Sequence, residues 1–162
     1  MKLSSKGQYA VRAIIDLSYY SSDNMLPVSL KDISTRESIS IHYLEQIFFI
    51  LKKAGIVRSL RGPNGGYLLN KKPSDILIGD IISSVEPIDI MSCTSKTENK
   101  KECGRKSICL AFDMWNSISG KIIEFLNSIT IEDVISEYRY KQKTMHKLSE
   151  KSAENSTETK NC

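Results

Sequence analysis

Two short runs of β-prone residues, Ile56-Val57-Arg58-Ser59-Leu60 and Tyr67-Leu68-Leu69, flank the segment Arg61-Gly62-Pro63-Asn64-Gly65-Gly66. Glycines, a proline and an Asn-Gly pair crowded into one segment stop any helix and favour a tight hairpin. Two helical patterns stand directly before it. The first runs from Ser29 to about Glu37, with Leu30 and Ile33 facing inward. The second starts after Ser40, carries the apolar stripe Leu44, Ile47, Phe48 and Leu51, and is ended by Gly55. Short helices joined by a few residues form a helix-turn-helix. A further helix is expected upstream, where Ala10, Val11, Ile14, Leu17 and Tyr20 recur at spacings of three and four. Three helices followed by a hairpin are a winged helix, and the fold class expected is mainly α.

The remainder of the chain extends this unit. A helix is expected from Ser74 to Glu86, stopped by Pro87, with a polar loop over residues 88–106. From about Ser107 to Asn127, Ile108, Trp115, Ile118, Ile122 and Leu126 follow the spacing of a helix-packing seam. That helix carries more apolar surface than so small a unit can bury alone, which points to dimerisation. Thr130 opens one more short helix, and beyond Tyr140 the composition turns to Lys, Ser, Glu, Thr and Asn, the signature of disorder. The division expected is 1–72 winged helix-turn-helix, 73–106 linking helix and cysteine loop, 107–140 dimerisation helix with a short C-terminal helix, and 141–162 disordered tail.

Charge is unevenly spread. The net charge is +4, but residues 1–72 carry 11 Lys/Arg against 5 Asp/Glu while residues 73–162 carry 12 against 14. The basic half is the one that attracts a polyanion. On a helical wheel the outward side of the second helix of the pair holds His42, Glu45, Gln46, Phe49 and Lys53. Gln pairs with adenine, Glu accepts from cytosine, and Ser40 at the helix start reaches a phosphate. Arg58 and Arg61 flank or enter the hairpin, where an arginine inserts into a minor groove or contacts the backbone. Each residue alone reads as solvated surface; together with the basic half-chain and the hairpin they indicate double-stranded DNA. The glycines do not make a nucleotide site, because neither a Lys-Ser/Thr pair nor a following helix accompanies them.

Cys93, Cys103 and Cys109 fall within 17 positions, apart from Cys162 at the end. With no apolar run long enough for a bilayer and no signal-peptide pattern, a cytoplasmic, reducing location without a membrane partner is expected, so the three are candidate ligands of an iron–sulfur cluster or Zn rather than a disulfide set. The spacing is not a Cys-x-x-Cys pair, and as a bare pattern it is also that of three unrelated structural cysteines. Only His42 and His146 are available as histidines. No Ser/His/Asp set can be drawn with them, and an enzyme is not expected.

The stretches MKLSSKGQYAVRAI, ISIHYLEQIF, LKKAGIVRSLRGPNGGYLL, IGDIISSVE and FLNSITIEDV resemble, in order, the motifs of the winged-helix transcription regulator family of IscR, NsrR and CymR, over residues 1 to about 138. The resemblance implies a homodimeric regulator, the long helix crossing its twin, with DNA-recognition helices set for half-sites about 34 Å apart. It aligns Cys93, Cys103 and Cys109 with the cluster cysteines of the IscR and NsrR types, implying a 2Fe-2S cluster and a role in sensing iron–sulfur status. The chain departs from the pattern at Phe49-Ile50, where IscR-type members have polar or basic residues, and in the ligand set. Where IscR-type members have a ligating histidine this chain has Phe112, so Glu102, Asp113 or a group from the partner subunit would be the fourth ligand; where NsrR-like members use a first-helix carboxylate it has Gln8. The rival readings are a nitric-oxide-responsive or cysteine-responsive repressor of the same family, and a Zn-stabilised protein-interaction module.

Overall fold

A computed structural model of the chain describes residues 4–21, 26–88, 103–104 and 107–158, with side chains of the last helix as far as Met145. Six helices and a two-stranded ribbon follow one another as α1 (Ser5–Ser21), α2 (Leu30–Glu37), α3 (Ile41–Lys53), β1 (Val57–Leu60), β2 (Gly66–Leu69), α4 (Ile78–Val85), α5 (Phe112–Asn127) and α6 (Ile131–Glu158). A single 3-10 turn, Pro73–Asp75, precedes α4. The chain is mainly helical and builds a winged helix-turn-helix.

Local chemistry fixes the two helices of the pair. Ser29 and Ser40 sit in extended backbone before α2 and α3, and their hydroxyls accept from Asp32 N–H and Tyr43 N–H. The turn between the helices passes through Ser38 at φ 54°, whose N–H donates to the Ser34 carbonyl. Leu44, Ile47, Phe48 and Leu51 of α3 are fully buried against Ile14 and Leu17 of α1 and Ile33 of α2, so the stripe expected from spacing is the core.

The hairpin is antiparallel, with Val57 opposite Leu69 and Leu60 opposite Gly66. Its turn is held by Gly65 N–H on the Gly62 carbonyl at 2.9 Å, with Gly62 at φ 123°. Val28 adds an unexpected third edge. It exchanges two backbone bonds with Tyr67 (3.0 and 2.8 Å), close enough that a Cβ on Gly66 would stand 2.5 Å from the Val28 carbonyl oxygen.

Three expectations need correction. The helix after Pro73 does not run unbroken from Ser74: Ile76 and Leu77 are extended, because Ile78 N–H donates to Ile129 O and Ile131 N–H to Ile76 O, forming a bridge between Leu77 and Thr130. The seam helix begins at Phe112 rather than Ser107. The segment before it turns back, with Phe112 N–H on the Cys109 carbonyl at 3.1 Å. Finally, α6 is 28 residues long and reaches Glu158, where a short helix and a disordered tail were expected. Beyond Tyr140 its sequence lacks an apolar stripe but also lacks Gly and Pro up to Glu158, and the i,i+4 ion pair Glu137–Lys141 (2.5 Å) leads into that part.

Candidate nucleic-acid interface and cysteine site

Rigid packing of α3 decides what its other side presents. With Leu44, Ile47, Phe48 and Leu51 locked inward, the side chains of Ile41, His42, Glu45, Gln46, Phe49, Lys52 and Lys53 are left on the solvent side. His42 and Glu45 are 82% and 59% exposed along their side chains, and His42 Nδ1 lies 3.6 Å from Glu45 Oε2. One turn on, Gln46 Nε2 is 3.2 Å from His42 Nε2. Phe49, out of place on a polar face, is 60% exposed and covered by Lys53, whose Nζ stands 4.5 Å from the ring centre. Ser40 uses its oxygen to cap α3 through Tyr43 N–H at 3.3 Å, leaving its hydroxyl hydrogen to donate.

The wing is tied to the same helix. Lys52 Nζ donates to Ser59 Oγ at 2.6 Å, and the Tyr67 ring meets Phe48 edge-on at 4.8 Å between centroids. Ser59 and Tyr67 therefore occupy the ribbon face turned toward α3, and Arg61 is exposed at the turn beyond them. Arg58, paired with Leu68, falls on the opposite face and lines a cleft with Ser18, Lys72 and Glu132. The structure thus brings Ser40, His42, Glu45, Gln46 and Lys53 onto one helix with Arg61 on the wing beside it. It does not bring Arg58 to that side, because alternation along β1 reverses direction at each residue.

A clamp that sequence spacing did not reveal orients this unit. Arg36 of α2 donates through Nε and Nη2 to both carboxylate oxygens of Asp16 in α1, at 2.8 and 2.7 Å, and lies over the Tyr20 ring at 4.0 Å. The bonds from Asp16 hold the guanidinium proton more firmly than usual, raising its pKa. Arg12 donates to the Glu37 carboxylate and backbone carbonyl at 2.8 and 2.6 Å, fastening the end of α2 to α1. A charged residue on an otherwise apolar helical stripe, as at Asp16, was the available signal.

Of the cysteines, Cys103 is half-buried and Cys109 exposed, both as free thiols. Cys109 precedes the helix by three positions, its carbonyl bonded to Phe112 N–H. Cys93 and Glu102 lie outside the described residues, and Asp113 is exposed in the first turn of α5. Among the described residues no three His, Cys, Asp or Glu side chains converge. Among those residues, too, no helix is long and apolar enough to cross a membrane.

Comparison with known proteins accords with this geometry. Residues 3–137 match the family model of Rrf2, described as iron-dependent transcriptional regulators. The chain is 43% identical over 136 residues to the HTH-type transcriptional regulator IscR of Pectobacterium atrosepticum, covering 83% of this chain and 79% of that one. It is 44% identical, with the same coverage, to IscR of Yersinia pseudotuberculosis. Among solved structures it is similar to IscR of T. potens (TM-score 0.68, 36% identity, 85% of this chain and 88% of that one). It is also similar to CymR, the global cysteine regulator of B. subtilis (TM-score 0.66, 34% identity, 85% and 98%). A winged helix-turn-helix matched over most of its length by such relatives is a DNA-binding transcription regulator and not an enzyme: the chain belongs to the Rrf2 family.

Proposed function

We propose that this regulator works in the cytoplasm as a homodimer, reads its operator through α3 and the wing, and holds an iron–sulfur cluster of the 2Fe-2S kind on Cys93, Cys103 and Cys109. The observation that carries the DNA reading is the solvent-facing row His42, Glu45, Gln46 and Lys53 on a helix clamped from behind, with Arg61 exposed beside it. Gln46 and Glu45 are suited to base edges in the major groove, Ser40 and Lys53 to phosphates, and Arg61 to the adjacent minor groove. Arg58, on the far face of the ribbon, is left out of this set.

The donor chemistry fits a cluster: Cys109 stands at the entry to α5, Cys103 precedes it in the chain, and neither described cysteine is tied up in a disulfide. When bound, the cluster would supply a link between loop and helix whose presence depends on iron–sulfur supply and oxidants. The chain's own part is transmission. Helix α4 packs against α1, α3 and α5 at once. Asn127 at the end of α5 fills the space left by Gly79, Leu77 is bridged to Thr130, and Ser4 donates to Glu86, fastening α4 to the start of α1. A shift of α5 is therefore passed to the helix that supports α3.

Two measurements test this reading. Selection from a pool of random duplexes should return one preferred sequence with two-fold symmetry, and a selection with no enrichment contradicts the DNA reading. Protein purified without oxygen should contain iron and acid-labile sulfide, lost on single Ala substitution of Cys93, Cys103 or Cys109 and kept in Cys162→Ala. A colourless protein holding Zn instead would move the cysteines to a structural role.

A further inference from the structure

The solvent side of α3 contains a linked set of side chains. His42 Nε2 and Gln46 Nε2 are 3.2 Å apart across one helical turn, and His42 Nδ1 faces Glu45 Oε2 at 3.6 Å. An amide nitrogen is only a donor, so the first contact is a hydrogen bond when His42 Nε2 is the bare ring nitrogen. Nδ1 then carries the hydrogen, and it is the nitrogen turned toward the Glu45 carboxylate. At 3.6 Å that contact is too long for a good hydrogen bond but close enough for the carboxylate to favour the Nδ1–H tautomer electrostatically. Glu45 and Gln46 thus favour the same tautomer of His42.

The consequence lies in Gln46. A side-chain amide has one hydrogen on the side of its oxygen and one on the far side. Paired recognition of adenine uses Oε1 to accept from N6–H and the oxygen-side hydrogen to donate to N7. The far hydrogen is the one left for His42. Without an acceptor at position 42, the amide of an exposed Gln turns freely, and its two ends exchange at little cost.

We propose that His42 is a positioning residue for base recognition: by accepting from Gln46 it fixes the amide with its adenine-reading edge outward, while Glu45 holds the imidazole in the tautomer that does so. This inference rests on α3 being the recognition helix. Direct contact of His42 with DNA is not part of it.

The test uses the full-length protein and the duplex that the wild type selects from a random pool. Affinity is measured for that duplex and for the three base-pair replacements at its position of strongest adenine preference. His42→Ala should reduce the preference for adenine about three- to tenfold, the worth of one net hydrogen bond. His42→Gln, whose distal oxygen reaches as far as Nε2 and accepts, should restore the preference. His42→Lys, a donor only, should not. Circular dichroism matching wild type certifies each variant as folded. An adenine preference unchanged in His42→Ala, or lost equally in a folded His42→Gln, overturns the proposal. So does His42→Lys raising affinity for all duplexes alike with base preference intact, since that is a phosphate contact. A wild type that selects a sequence without adenine preference also overturns it, whereas a wild type that selects nothing refutes the recognition-helix reading beneath it.

Discussion

Asp16 keeps 4% of its side chain exposed and receives two bonds from Arg36, whose own side chain is 29% exposed. Removing the carboxylate leaves a partly enclosed guanidinium unpaired, a loss between that of a surface pair and that of a buried one. Asp16→Ala should therefore destabilise the protein by about 1–3 kcal/mol in urea unfolding. Arg36→Lys should lose much of the same stability, because an ammonium cannot reproduce the two-pronged fork. A second residue-scale outcome concerns Gly66. Its added Cβ meets backbone rather than a movable side chain, so Gly66→Ala should cost about 1–3 kcal/mol and loosen the bridge from Val28 to Tyr67. Arg61 is exposed and carries no such burden, so Arg61→Ala should leave stability intact and weaken operator binding by about 1–3 kcal/mol in a fluorescence titration. Unaltered binding across a range of salt concentrations would remove Arg61 from the interface. At this scale the sequence was an uneven guide. Ser29 and Ser40 were legible as caps because a cap acts within four residues. Asp16 was not, since its partner is on another helix, and Arg58 was grouped with Arg61 because sequence proximity hides the alternation of a strand.

Helix α6 shows how a local signal at one end and a weak signal along the body combine. Thr130 accepts Asp133 N–H at 3.0 Å, and Asp133 Oδ2 receives Thr130 N–H and its hydroxyl at 2.9 and 2.6 Å, a reciprocal cap. The hydroxyl and the backbone N–H of Thr130, in that order, hold the Asp133 carboxyl below its ordinary pKa. A folded-state pKa below the unfolded one means that the cap contributes stability above the ordinary carboxylate range, and that this is lost as pH falls through the depressed value. Wild type should therefore lose more stability than Asp133→Ala when unfolding is followed from neutral pH to below pH 4, and equal losses would show that the cap is silent. The start of α6 was legible in Thr130-Ile131-Glu132-Asp133, whereas its length was not. A reading that weighs apolar periodicity ends the helix near Tyr140, yet helix-forming residues and the Glu137–Lys141 pair continue it beyond Tyr138, whose ring still packs on Tyr19 of α1. The interruption at Ile76 and Leu77 escaped notice for the opposite reason. There a bridge to Thr130, distant in sequence, overrides a local pattern that reads as continuous helix.

For the molecule as a whole, α5 is where the single chain is incomplete. Its face carries Met114, Trp115, Ile118, Ile122 and Phe125, yet Ser119 is its only buried residue, and Phe125 is 64% and Met114 49% exposed. The winged helix by contrast fully buries Ile14, Leu17, Ile33, Leu44, Ile47, Phe48 and Leu51 in one core. Spacing alone predicted this exposed apolar surface, because a helix with too much of it is visible without knowing what covers it, whereas the cysteine site could be read only as a set of donors. A second copy of α5 would cover the face by two-fold symmetry and set the separation of two α3 helices on DNA. Half-buried Trp115 stands inside the seam, so Trp115→Glu would place an unpaired charge in the contact, at a cost of several kcal/mol per dimer. Sedimentation should then show monomers at concentrations where wild type is dimeric, with helical content retained because Trp115 takes no part in the winged-helix core. The monomer should keep weak, salt-sensitive affinity for any duplex and lose the tight binding that depends on two half-sites together. An intact dimer in that variant would place the subunit contact on another surface, and tight operator binding by a proven monomer would remove dimerisation from the mechanism.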